Sequence, residues 1–174
     1  AQGGKETGPE GQKEKKTMID NITVTITTPS EREAVVTREF NAPAALVFEA
    51  VTRADLIKRW YGAAGSLDSC ESDPRVGGSW RFAFTAGGKQ MAKYGVYNEF
   101  DPPRRFVRTE RYEGWDEYEA LLTVELVERQ GKTTMTQTFL FPTQELRDQV
   151  MKMGLTPQAM SAFYERLDVL LASL

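Results

Sequence analysis

The stretch FVRTERY, residues 106–112, sets an arginine and a glutamate two residues apart between two aromatics. On a strand, alternation places Phe106, Arg108, Glu110 and Tyr112 on one face and Val107, Thr109 and Arg111 on the other. The aromatic ends mark the first face as the inward one. By the same alternation MTQTFLF, residues 135–141, groups Met135, Gln137, Phe139 and Phe141. Arg108, Glu110 and Gln137 therefore point into an otherwise apolar space, and three chemistries suit them. They could orient the polar end of a mostly apolar ligand, as a few convergent polar groups do in small-molecule sites. Arg108 and Glu110, roughly 7 Å apart along one strand, could be a structural ion pair. Glu110 could serve as a general acid or base in the manner of a cyclase, since burial favours the protonated form of a carboxyl, although a neighbouring guanidinium works against it.

Absences narrow the field. The 174 residues include no histidine and one cysteine, Cys70. A disulfide within the chain, a Cys/His zinc site, a Ser-His-Asp triad and a histidine base are thereby excluded. Cys70, in LDSCESDP, has carboxylates around it rather than a base, which suits a structural thiol better than a nucleophile. Asp68, Glu71 and Asp73 lack the glycine-punctuated loop of a cation site, and AGGKQ at 86–90 lacks the spacing of a phosphate loop and reads as a hairpin turn. No metal and no cofactor is expected. The net charge of −3 provides no field for nucleic acid or an anionic membrane, and Lys58-Arg59 and Arg104-Arg105 are isolated pairs. Without a membrane-length apolar run or a leader, the expected location is the cytoplasm. The Asn21-Ile22-Thr23 glycosylation pattern has no secretory context to act in.

The elements that must position these residues are legible in outline. Residues 1–17, AQGGKETGPEGQKEKKT, lack apolar anchors and read as a disordered tail before a domain spanning 18–174. ITVTITTPSEREAVVTREF gives two opening strands. Pro43 suits the first turn of a helix carrying Leu46, Val47, Ala50 and Val51. Asp55 is expected to cap a second short helix that Gly62 ends, with Trp60 and Tyr61 about 100° apart in its last turn. That spacing sends Trp60 to the end of a cavity and Tyr61 to the outside of the helix, with GAAG turning into the next strand. Turn signals at 77–78, 86–89, 101–104, 113–117 and 129–132 cut Ser66–Phe141 into about six antiparallel strands. Leu146, Val150 and Met153 begin a helical stripe that stops at Gly154. Thr156 and Pro157 then open a long helix with Met160, Phe163, Leu167, Leu170, Leu171 and Leu174 on one face. An α+β domain follows, in which a curved antiparallel sheet of about six to eight strands wraps the closing helix and leaves a ligand cavity between them.

REFNAPAALVFEAVTRADLIKRWYG, RVGGSWRF, YGVYNEFDPPRRFVRTERY and KTTMTQTFLFPT, with the closing helix, resemble the activators of heat-shock-protein-90 ATPase in their bacterial stand-alone form. That family lies in the START-like, or SRPBCC, superfamily with its helix-grip fold. The resemblance covers residue 22 to the end. It implies that Trp60, Trp80 and Phe82 lie near the cavity, and that this chain departs from the family by placing Arg108 where an aromatic is common and Gln137 where an aliphatic is usual.

The resulting expectation is binding of a small, largely hydrophobic molecule, without catalysis, by Trp60, Trp80, Phe82, Tyr94, Arg108, Glu110, Tyr112, Gln137, Met153, Met160 and Phe163. The alternative is a protein-binding regulator of a chaperone or other partner, using the outer surface with the rim of the first hairpin and an exposed Trp115 at a hairpin tip. A cyclase-type enzyme is the third reading. Neither nucleic acid nor a membrane span enters any of them.

Overall fold

The computed structural model describes residues 24–61 and 67–174. The tail, the glycosylation pattern and the Gly62 and GAAG turn lie outside these residues. Eight antiparallel strands form one sheet: β1 (Thr25–Thr27), β2 (Glu33–Phe40), β3 (Leu67–Ser72), β4 (Ser79–Ala86), β5 (Lys89–Asp101), β6 (Arg105–Tyr112), β7 (Trp115–Arg129) and β8 (Lys132–Leu140). Their order is β1-β2-β8-β7-β6-β5-β4-β3, so the six-strand meander pairs in sequence and its last strand receives the opening hairpin. Four of the five reversals in the meander fall at glycine turns, where Gly77, Gly87, Gly88, Gly114 and Gly131 take positive φ that side chains with a Cβ avoid; the β5–β6 reversal runs through Pro102 and Pro103 instead.

Helices α1 (Ala44–Thr52) and α2 (Ala54–Trp60) follow β2, and α3 (Gln144–Met153) and α4 (Pro157–Ala172) close the chain. Thr143 and Thr156 cap the last two, accepting from the backbone N–H of Leu146 and Ala159 at 3.2 Å each. Pro157 occupies the first turn of α4. Asp55 is not a cap. Arg53 takes that position in extended conformation, and the Asp55 carboxylate accepts from the Arg53 guanidinium instead.

The α4 stripe reaches the concave face through Tyr164, Leu167, Leu170 and Leu171, all buried, while Leu174 is exposed. Each fully buried leucine contributes about 2 kcal/mol by removal from water. The concave face carries two core clusters. A large one joins α1, α2 and α4 to the strands, and a small one holds Ala34, Tyr118, Ala120 and Phe141 near α3. Trp115 is half-buried against Tyr112 and Tyr118, with ring centroids at 6.0 and 5.0 Å, so it packs its own hairpin rather than standing free. No described helix is long and apolar enough to cross a membrane.

Candidate functional site

Between the two clusters lies a cavity of about 340 Å³. Its floor is the concave sheet, including Phe82, Phe106, Leu122, Val124, Met135 and Phe139. Its roof is helical. Val150 of α3, Gly154 and Leu155 of the α3–α4 joint, and Ala159, Met160 and Phe163 of α4 cover it. Gly154 has φ of 147°, a conformation that suits glycine at this corner. Trp60 and Tyr61 close the end next to α2.

Trp60 is buried, and its indole N–H donates to the carbonyl of Ala50 at 2.9 Å, which fixes the ring. Tyr61 was expected outside the helix but also lines the cavity. The chain leaves helical geometry at this residue (φ −73°, ψ 141°), so the 100° helical step no longer separates the two rings. Tyr61 instead meets Phe82 and Phe163 at centroid distances of 5.0 and 5.1 Å.

β6 has the register that its aromatic ends suggest. Arg108 and Glu110 are both buried and both line the cavity, but they do not pair with each other. Glu110 faces Lys93 of β5, with Nζ 3.7 Å from Oε1, and accepts from the Tyr118 hydroxyl at 3.2 Å. Burial is the largest single influence on the Lys93 ammonium and depresses it, but Glu110 together with Tyr61 and Tyr112 outweighs burial and holds Lys93 well above the ordinary lysine range. Lys93 is therefore a fixed cation at neutral pH rather than a nucleophilic amine. Burial, reinforced by Glu110, likewise pushes the Tyr118 phenol up, so it stays a donor.

The Arg108 guanidinium carbon lies over the Trp80 ring, 4.0 Å from the centroid, with the Phe82, Phe106 and Tyr97 rings at 5.5, 5.7 and 5.9 Å. Its Nε and Nη1 are buried and have no hydrogen-bond partner. Gln137 accepts from the Tyr164 hydroxyl, which links β8 to α4 at the cavity wall.

Of the residues named from sequence, Trp60, Phe82, Arg108, Glu110, Tyr112 and Gln137 line the cavity together with Met160 and Phe163. Three others do not. Trp80 is wholly buried beneath Arg108, its indole N–H donating to the Thr109 carbonyl at 3.1 Å. Tyr94 sits on the outer face, paired in register with Arg81 and Arg111, because the inward row of β5 runs through Lys93 and Tyr97. Met153 ends α3 on its solvent side and is 67 % exposed.

Two charged residues escaped the sequence reading. Lys93 could have been found from Tyr97, since period-two spacing puts both on one face. Arg38 stands in the buried row Ala34, Val36, Arg38, Phe40 of β2 and forms an ion pair with Asp168 of α4.

The sequence profile described as Activator of Hsp90 ATPase homolog 1-like protein matches residues 41–172. The chain belongs to that family. The match takes in β3 to β8, the four helices and every residue lining the cavity. Among solved structures, one from Rhodobacter sphaeroides is similar at 29 % identity and TM-score 0.78, covering 87 % of this chain and 99 % of its own. A solution structure from Staphylococcus epidermidis is similar at 25 % identity and TM-score 0.74, covering 86 % and 94 %. Protein Ms6760 from Mycobacterium smegmatis, at 21 % identity, TM-score 0.75 and coverage of 86 % and 98 %, shares the fold. No protein with a curated description matches the chain. The helix-grip fold of the family, with its sheet wrapped around a C-terminal helix, is thus the fold of this chain.

Proposed function

We propose that the domain binds a small, largely apolar molecule in the cavity between the sheet and α3–α4, and that binding is its role rather than catalysis. The observation that carries this reading is the cavity itself: about 340 Å³, walled by aromatic and aliphatic side chains, with polar groups confined to a few positions. That volume is at the small end of the roughly 300–1,000 Å³ of ligand sites. The charged pair on its wall is internally satisfied, Lys93 holding Glu110, which suits a lining better than an acid–base catalyst in search of a proton acceptor. A protein-binding role draws on the description of the family, but Trp115, the aromatic that would anchor it, is packed into its own hairpin.

A screen of apolar probes by native mass spectrometry, followed by tryptophan fluorescence of the hits, tests the proposal. Trp60 lines the cavity and Trp80 lies under Arg108, so occupancy is expected to change emission. Adding bulk at Met160, as in Met160→Trp, should abolish binding while the fold persists. Binding that survives a filled cavity would overturn the reading.

A further inference from the structure

We propose that the ligand of this cavity carries one anionic group, a carboxylate or its equivalent, and that Arg108 receives it. The proposal rests on the cavity being a ligand site and specifies which chemical class enters it. Three observations point to it.

The first is a count of charge. Three ionised side chains line the cavity: Lys93, Arg108 and Glu110. Lys93 and Glu110 neutralise each other at 3.7 Å. No ion pair among the described residues involves Arg108, so the cavity carries one positive charge without a counter-charge. A buried charge in a medium of low dielectric is stable only when something opposite reaches it.

The second is the unmet hydrogen bonding. Arg108 is 7 % exposed, and its Nε and Nη1 have no acceptor in the protein. Buried donors are nearly always paired, and a guanidinium has only donors to offer. Trp80 and the other rings surround the guanidinium carbon and stabilise the cation, but they give Nε and Nη1 no hydrogen-bond acceptor. A planar oxyanion meets a guanidinium as a fork along one of two edges, Nε with Nη2 or Nη1 with Nη2, so each edge of Arg108 carries one orphaned donor.

The third is the contrast with Arg38. Its Nε and Nη1 are also unpaired, yet Asp168 supplies its counter-charge, and it does not line the cavity. Arg38 is a strut between sheet and helix. Arg108 has the same orphaned donors, no carboxylate partner, and a cavity beside it.

The small volume further selects a compact body, an aryl or branched-alkyl acid rather than a long acyl chain. Calorimetric titration with matched probes tests the proposal: 2-naphthoate, the neutral 2-naphthalenemethanol and the cationic 2-naphthylmethylamine, alongside 4-methylpentanoate and its alcohol. The wild-type chain should bind an acid about tenfold or more tighter than its alcohol and should reject the amine. Arg108→Met should bring acid and alcohol to equal affinity while leaving the alcohol unchanged, and Arg108→Lys should fall between. Equal binding of acid and alcohol by the wild-type chain overturns the anion site but leaves the apolar cavity standing. Failure of every probe overturns the cavity reading and this one with it. The wild-type comparison needs no variant, so it decides the matter even if Arg108→Met does not fold.

Discussion

Replacing Lys93 by methionine removes the only cation paired with Glu110 among the described residues, and the structure sets the size of the effect. At 3.7 Å, an effective dielectric near 20 gives a Coulomb term of about 4 kcal/mol. The Lys93 side chain is 19 % exposed, and solvent reaching it trims that term. Glu110 is far less accessible and would keep only the Tyr118 hydroxyl, so Lys93→Met is expected to cost about 3 kcal/mol by stranding a buried carboxylate. Glu110→Gln should cost about 1 to 2 kcal/mol, because the amide oxygen can still accept from Tyr118 and Lys93 can turn towards water. With both changes no charge is stranded, and the double variant should be less destabilised than the sum of the single ones by about 2 kcal/mol. Urea unfolding of the four proteins at pH 7 measures the cycle. Additivity within about 0.5 kcal/mol would mean that the pair is not coupled. It would also remove the neutrality that leaves Arg108 as the uncompensated charge of the cavity.

Other outcomes follow from the same geometry. Trp60→Phe leaves the Ala50 carbonyl without its donor and shrinks the end wall, so a loss of about 2 to 3 kcal/mol is expected by urea unfolding. Gly95→Ala would set a Cβ 1.9 Å from the Thr109 carbonyl oxygen, forcing β5 from β6; a loss of about 3 kcal/mol or more, with a lower Tm by circular dichroism, is expected. Stability should fall in alkali. Burial pushes the Cys70 thiol up to about 11 from 9.0 and raises the Tyr164 phenol in the same direction. The folded chain then holds protons that the unfolded chain releases, so the stabilisation is complete below pH 9 and is lost as pH climbs towards 11. Cys70 accounts for about 2 to 3 kcal/mol of that loss. Cys70→Ala should flatten the alkaline limb in a pH series of urea unfolding, and an unchanged slope would contradict the assignment.

The fold was legible because its punctuation is local. Glycines and one Pro-Pro pair mark the hairpins, Thr-Pro opens α4, and alternation from Phe106 to Tyr112 fixes the register of β6, so Arg108 and Glu110 were placed inward from seven residues. What local patterns cannot supply is the neighbour across the sheet. Pairing Glu110 with Arg108 was the natural choice along one strand, but its partner, Lys93, comes from β5, whose register is interrupted by a bulge between Tyr97 and Glu99. Tyr94 falls on the outer face because the inward row of β5 runs through Lys93 and Tyr97. Tyr61 was misplaced because helical phase was carried one residue past the point where the helix ends. Arg38 shows that an arginine in an alternating apolar row is a buried strut when a carboxylate such as Asp168 waits on a helix distant in sequence.

Floor and roof of the cavity come from separate stretches of the chain. The fixed charges all stand on neighbouring strands β5 and β6, whereas the residues that set depth and width, Val150, Leu155, Met160 and Phe163, stand on α3, α4 and their joint. A substitution in one group leaves the backbone of the other untouched. Under the proposed binding role, polarity and size of the guest could therefore change independently, each by single exchanges that the other does not have to accommodate. Under that same role, a scaffold divided in this way would admit a different guest by small steps.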